Sequence, residues 1–199
     1  LSLGLDVVKF FPAEAAGGLK MIKAMSAPYS NVKFMPTGGI SPDNLNSYLS
    51  FQKVVACGGS FMATADMIRK GEFDQIEKIC RETVFKMFDF EVKHIGINCG
   101  DEQEADQSAN SFAQLFGFEK KTGTSSIFSS SAIELMKAPY KGANGHIAIA
   151  TSSIERAKVY LEQLGVEFDQ QSEKLKDGKL QTIYLKKEIS GFAIHLLRK

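Results

Sequence analysis

Along the first 88 residues, short apolar runs alternate with stretches of helical length that mix apolar and polar positions. Val7–Phe11 reads as a strand, followed by a loop through Gly17-Gly18 and a helix over Leu19–Met25. Val32–Met35 reads as a second strand, ending in Pro36-Thr37-Gly38-Gly39. Pro42 and Asp43 are expected to open the next helix, because proline suits a first helical turn. Val54–Cys57 reads as a third strand ending in Gly58-Gly59-Ser60, and a long helix is expected over Phe73–Met87. Strands alternating with helices imply parallel strands joined by crossover helices, an α/β arrangement. Three such units leave both sheet edges open, so this half reads as part of a larger closed barrel.

Near Phe88–Glu91 the pattern changes. A strand (Val92–Cys99), a helix (about Glu104–Phe116) and several strands lead to Lys137. After Pro139–Asn144 the same order returns: a strand (His146–Thr151), a helix (Ile154–Leu164) and strands to Leu197. The repetition predicts one pseudo-symmetric α+β domain over 91–199, behind a separate domain over 1–88. The acidic run Asp101–Asp106 fits a helix N-terminus, where negative charge is favoured, though a solvated face is its plainer reading.

Composition narrows the partners. The chain has 199 residues and a net charge of +1, with no basic run, which argues against a nucleic-acid surface. No apolar stretch approaches the ~18 residues that a membrane span requires. Cys57, Cys80 and Cys99 are odd in number and lack a Cys-x-x-Cys spacing, which points to reduced thiols and a cytoplasmic location. The sequence opens at Leu1 rather than Met, inside what reads as a helix end, and an N-terminal part is expected to be missing.

Two sets of residues carry candidate chemistry. Lys9 lies in the apolar run Val-Val-Lys-Phe-Phe-Pro, where burial would lower the basicity of its amine. A neutral amine attacks a carbonyl to form a Schiff base. A lysine snorkelling from a strand end is the plainer alternative. The Gly-Gly pairs at 38–39 and 58–59 each follow a strand, where close backbone approach and free N–H groups suit a phosphate. Two ordinary turns would read the same way.

Lys9-Phe10-Phe11-Pro12-Ala13-Glu14, Pro36-Thr37-Gly38-Gly39-Ile40-Ser41 and Gly58-Gly59-Ser60, in this order and spacing, resemble the C-terminal half of the 2-keto-3-deoxy-6-phosphogluconate (KDPG) and 4-hydroxy-2-oxoglutarate aldolases. The resemblance covers about residues 1–88. It implies roughly the last three βα units of a (β/α)8 TIM barrel, assembled as a trimer in the intact parent. It also implies Lys9 as the Schiff-base nucleophile, and Gly38, Gly39, Gly58, Gly59 and Ser60 as the phosphate cradle, with Thr37 lining the same pocket. The reaction implied is reversible cleavage of a phosphorylated keto acid to pyruvate and glyceraldehyde 3-phosphate, with no cofactor. The family's general acid–base glutamate and its carboxylate-binding residues lie on earlier strands that this sequence does not contain. Glu14 is expected to support a turn or helix start. The isolated chain is therefore expected to have little or no lyase activity.

In the second half all three histidines occupy strand-like repeats. His94 opens His-Ile-Gly-Ile and His146 opens His-Ile-Ala-Ile, while Ile-Glu134-Leu and Ile-His195-Leu come later in each repeat. Side chains on one sheet face recur every second residue, so two such modules can aim four donors at one centre. The repeat resembles a vicinal oxygen chelate domain, the fold of glyoxalase I and extradiol dioxygenases, built from paired βαβββ modules. The resemblance implies His94, Glu134, His146 and His195 as ligands of a divalent metal, and imidazoles with one carboxylate suit Zn, Ni, Fe or Mn. Glyoxalase-like members carry a glutamate where this chain has His195, which removes a base that a proton-shuttling isomerase would use. A metalloenzyme and a metal-free binding or assembly module both remain open for this half.

Overall fold

The computed structural model of the protein describes residues 4–199, which fall into two compact units divided between Met87 and Phe88. The first unit is built from β1 (Val7–Phe10), α1 (Gly18–Ser26), β2 (Lys33–Pro36) and α2 (Leu45–Leu49), then a 3-10 turn (Ser60–Met62), α3 (Ala65–Lys70) and α4 (Phe73–Phe88). Strands β1 and β2 pair in parallel, with Lys9 opposite Met35 and Phe10 opposite Pro36. The expected third strand is reduced to two isolated parallel bridges, Phe34 with Val54 and Thr37 with Gly58. Between those bridges β2 advances three residues and its partner four. The extra residue interrupts the ladder as a bulge does. The helix expected from Pro42 starts instead at Leu45, because the Asn44 side chain accepts from the Ser41 amide and donates to the Gly39 carbonyl, holding a turn there.

Alternation along β1 and β2 decides what the unit buries. Val8, Phe10 and Phe34 pack with Ile22 of α1, Leu45 and Tyr48 of α2, and Val54 in one apolar core. Val7, Lys9 and Phe11 are exposed.

The second unit runs β3 (Glu91–Asn98), α5 (Glu102–Phe116), β4 (Lys120–Thr122), β5 (Ser126–Ser129) and β6 (Ile133–Met136), then repeats the order as β7 (Gly145–Thr151), α6 (Ile154–Gln163), β8 (Phe168–Lys176), β9 (Lys179–Leu185) and β10 (Phe192–Arg198). All eight strands form one sheet in the order β4-β5-β6-β3-β7-β10-β9-β8. Each half closes on itself in the same way: β3 pairs in parallel with β6, and β7 in parallel with β10. The halves join through an antiparallel β3–β7 pair at the centre. The chain thus makes two βαβββ modules related by a pseudo-two-fold axis.

Local chemistry starts both helices. The Asp101 carboxylate accepts from the Glu104 amide, and the Glu104 carboxylate accepts from the Gly100 amide, a reciprocal cap. Ser153 caps α6 by accepting from the Arg156 amide. Ala105, Ala109 and Phe112 of α5 pack on Ile127, Ile133 and Leu135. By the strand period of two, Ser126, Phe128 and Glu134 therefore face the opposite, inner side of the sheet. No helix among the described residues is long and apolar enough to cross a membrane.

Candidate functional site

The inner face of the second unit gathers its histidines. Glu134 pairs with Gly96 across β6–β3, and Gly96 pairs with His146 across β3–β7. Gly96 lacks a side chain, and the His146 imidazole occupies the space where one would stand. A Cβ built on Gly96 would lie 2.0 Å from His146 Cε1. This is the close approach that a glycine inside a strand often marks, a signal the sequence reading passed over. His94 pairs with Ala148 of β7, and Ala148 with His195 of β10, so the third imidazole joins from the next strand.

Three donor atoms meet in a nearly equilateral triangle. His94 Nε2 lies 3.2 Å from His146 Nε2 and 3.2 Å from Glu134 Oε2. His146 Nε2 lies 3.1 Å from the same carboxylate oxygen. Metal–nitrogen and metal–oxygen bonds of about 2.0–2.2 Å place neighbouring ligand atoms on the order of 3 Å apart, so these separations suit a shared cation. Hydrogen bonding alone cannot satisfy the triangle. If both Nε2 atoms carry protons for the carboxylate, the protons oppose each other across the His94–His146 contact. If one does not, its lone pair faces either a carboxylate or a second nitrogen. The other nitrogen of His146, Nδ1, is buried without a partner among the described residues.

His195 completes the cluster. Its imidazole nitrogens and those of His94 and His146 include atoms all within 4.8 Å of one another, and its ring centroid is 5.6 Å from that of His94 and 5.4 Å from that of His146. Its Nδ1 approaches the Leu196 carbonyl at 3.3 Å, which leaves Nε2 as the acceptor of the neutral ring. Burial lowers the His195 pKa to about 4 and keeps the ring neutral, the form in which imidazole ligates. Burial alone would raise the Glu134 carboxyl. Hydrogen bonds with His146, His94 and Ser126 outweigh it and hold the group well below the usual carboxylate range. Ser126 Oγ donates to Glu134 Oε1 at 2.6 Å, so the oxygen facing away from the histidines is also anchored.

Aromatic rings wall the cluster: Phe128 stands edge-on to His94, and Tyr184 lies against His195 with centroids 4.7 Å apart. Ser126, Phe128 and Tyr184 were not singled out from the sequence. Their alternation with buried outward-facing residues, Ile127 and Ile183, is the signal that could have found them. A cavity of about 930 Å³ opens beside the centre, with His94, Ser126 and Phe128 on its wall.

In the first unit the structure corrects one premise. The Lys9 side chain is exposed rather than buried in its apolar run, with its Nζ 5.4 Å from the Phe11 ring centroid. Lys9 shares the strand face with Val7, whereas Val8 and Phe10 supply the packed side. The glycine turns converge nearby. Gly38 and Gly39 have φ of +93° and +80°, values that a side chain would strain. The Thr37 carbonyl accepts from the Ala13 amide, and the Gly38 carbonyl accepts from the Glu14 amide. The Gly58 amide donates to the Pro36 carbonyl, so it is not available to a phosphate. The amides of Gly38, Gly39, Gly59 and Ser60 donate none of the hydrogen bonds found among the described residues. Neither glycine pair opens an α-helix directly: Gly59 leads into the 3-10 turn, and α2 begins only at Leu45. Glu14 caps no helix; its carboxylate accepts from the buried Tyr48 hydroxyl and supports the turn before α1.

Comparison with known proteins places likenesses on both units. Residues 1–79 match the family model for KDPG and KHG aldolase. The KHG/KDPG aldolase of Escherichia coli (strain K12) is 48% identical over 84 residues, 42% of this chain and 39% of that protein. The solved KDPG aldolase of Legionella pneumophila, with pyruvate captured as a covalent carbinolamine intermediate, is 39% identical, over 41% of this chain and 40% of that one, at a TM-score of 0.40. Methylmalonyl-CoA epimerase of Streptomyces coelicolor, in complex with 2-nitronate-propionyl-CoA, is 16% identical, over 55% of this chain and 94% of that one, at a TM-score of 0.41. The chain spans about two fifths of the length of the curated aldolases it matches.

Proposed function

We propose that the first unit is the lysine- and phosphate-bearing part of a Schiff-base aldolase of the KDPG/KHG type, corresponding to about the last three βα units of a TIM barrel. The observation that carries this reading is the family match over residues 1–79, which includes Lys9 and both glycine turns. In the proposed reaction the Lys9 amine condenses with the substrate ketone, and the protonated imine accepts the electron pair of the breaking carbon–carbon bond. The substrate hydroxyl loses its proton as the aldehyde phosphate leaves, and the remaining enamine takes up a proton and is hydrolysed by water to pyruvate and the free Lys9 amine. The free amides of Gly38, Gly39, Gly59 and Ser60, beside Thr37, supply donors for the phosphate. The exposure of Lys9 on a bare strand face accords with a site that needs further strands to enclose it. The intact enzyme would then be a homo-oligomer, and the 199-residue chain alone should release little or no pyruvate. The test is reduction with borohydride in the presence of pyruvate, followed by peptide mass spectrometry, in a protein that includes the preceding strands. Pyruvate trapped on Lys9 and lost in Lys9→Ala supports the assignment. Trapping at another lysine, or normal turnover by the 199-residue chain, contradicts it.

A second reading concerns the second unit, and the donor triangle favours it. We propose that the unit is a vicinal oxygen chelate domain in which His94, Glu134, His146 and His195 hold one divalent metal. A bound Zn, Ni, Fe or Mn ion would polarise an oxygen of a small ligand. The chain's own residues prepare that site. Gly96 lets the His146 ring lie against the strand, and Ser126 fixes the Glu134 carboxylate. Phe128 and Tyr184 limit water around the imidazoles. With His195 in the fourth position, no carboxylate other than Glu134 reaches the donor triangle among the described residues, which disfavours a glyoxalase-type proton shuttle. Equilibrium dialysis against Zn²⁺ tests this reading. One ion per chain, lost in His94→Ala, supports it, and absence of uptake contradicts it.

A further inference from the structure

We propose that the second unit takes a compact organic anion, a carboxylate or a phosphate monoester, held by Lys93 and Lys121 at its charged end while a neighbouring oxygen reaches the His94–Glu134–His146 centre. The inference rests on the metal reading above and names the substrate class of that site.

The cavity of about 930 Å³ is the starting point, because its wall includes His94, one corner of the donor triangle, and Ser126, which hydrogen-bonds Glu134. Its volume lies within the usual range for small-molecule sites. Lys93 and Lys121 line the same cavity.

Register explains how each lysine arrives there. Lys121 pairs with Phe128, and Phe128 pairs with Glu134, so all three stand in one row across the inner face. Two strand spacings separate Lys121 from Glu134, roughly 10 Å at about 4.8 Å each. A lysine side chain and a small anion span that gap together. Lys93 arrives by a different device. On a regular strand it would point away from its neighbour His94, yet the β3–β7 register shifts between Val92 and His94 and leaves Lys93 unpaired in the bulge. Bulges re-aim side chains and are common beside active sites. Here the result is that Lys93 and His94, adjacent in sequence, line one cavity.

Charge completes the argument. Lys120, one residue from Lys121, is paired with Asp106 at 2.5 Å, and Lys137 with Glu102 at 2.7 Å. Lys93 and Lys121 have no such acidic partner among the described residues. Among the described residues Glu119 is the one carboxylate on the cavity wall, against two ammonium groups, and Thr122, Ser130 and Ser131 add neutral donors. With a divalent ion at the adjoining centre, a wall of this kind favours a small anion whose other end carries an oxygen for the metal.

The test uses the full chain loaded with Co²⁺, whose visible absorption reports events at the metal alone. The probes are lactate, a carboxylate with a neighbouring hydroxyl, and glycerol 3-phosphate, a phosphate ester with one. Neither has a ketone or aldehyde group, so neither can form an imine with Lys9. The expected result is a saturable spectral change with at least one probe, and the tighter probe tells carboxylate from phosphate. Lys93→Met and Lys121→Met should each weaken that binding about tenfold, as removal of one charge-assisted contact does. The paired Lys→Arg variants should retain most of it, with cobalt uptake and thermal midpoint unchanged in all. Cobalt bound with no response to either probe, or with equal affinity in the double Met variant, overturns the anion assignment and leaves the metal reading standing. A chain that takes up no cobalt overturns both.

Discussion

Replacing Gly96 by alanine should empty the proposed metal centre without changing any of its proposed ligands. The added Cβ would stand 2.0 Å from His146 Cε1, 2.3 Å from Nδ1 and 2.5 Å from Nε2. Ordinary carbon–carbon contact is about 3.5–4.0 Å, so the ring must retreat on the order of 1.5 Å. The donor triangle has sides of 3.1–3.2 Å, and metal–ligand distances hold to within about 0.2 Å, so such a retreat removes His146 from coordination. Metal affinity should fall at least as far as the 10–100-fold typical of losing a supporting residue. Overpacking should also destabilise the metal-free fold by about 1–3 kcal/mol. Competition with a chromophoric chelator reads the first effect, and urea unfolding of the chelated protein reads the second. His146→Ala should lose metal to a similar degree. In the double variant the clash disappears, so the two stability costs should not add, a coupling that a double-mutant cycle detects. Wild-type metal affinity in Gly96→Ala would refute the assignment of His146 as a ligand held against Gly96.

Three further outcomes are expected. Ser126→Ala removes the hydroxyl that donates to Glu134 Oε1, and should weaken metal binding by about 10–100-fold with little loss of fold, measured by the same competition. Leu135→Ala opens a cavity under α5 at a residue that is 1% exposed, and should cost about 2–5 kcal/mol in urea unfolding; a smaller cost would mean that α5 does not pack there. In the chelated chain, His195 is neutral when folded down to about pH 4 but binds a proton from about pH 6.5 downward when unfolded. The unfolded state then holds more protons, so stability is full above about pH 6.5 and falls as pH drops toward 4. His195→Gln should flatten that slope in unfolding measurements at pH 7, 6 and 5.

Much of the second unit was legible because its two signals are strong. Period-two alternation with buried outward residues marks the strands, and a histidine or glutamate at an inward position of both modules marks the donors. The sequence shows no signal for what positions those donors. The bulge that turns Lys93 toward the cavity depends on a register shift between two strands 50 residues apart, and the Gly96–His146 stacking depends on the same pairing. Tyr184 reads as one strand aromatic among several until its contact with His195 is seen. In the first unit, apolar content alone suggested a third strand at Val54–Cys57. The extra residue between its bridges to β2 cannot be read without the partner strand. For Lys9 the apolar neighbours leave a buried and a snorkelling lysine both open, because burial depends on what covers the strand face; the side chain is exposed.

The most direct test of the metal centre is metal content per chain, by plasma mass spectrometry, for the wild type and His146→Ala purified without chelator. The His94–Glu134–His146 triangle, with His195 clustered beside two of its corners, predicts one equivalent of a divalent transition metal in the wild type and its loss in the variant. A wild-type chain that carries no metal and takes up none on titration with Zn²⁺, Ni²⁺, Fe²⁺ or Mn²⁺ would contradict the account and leave the histidine cluster as packing.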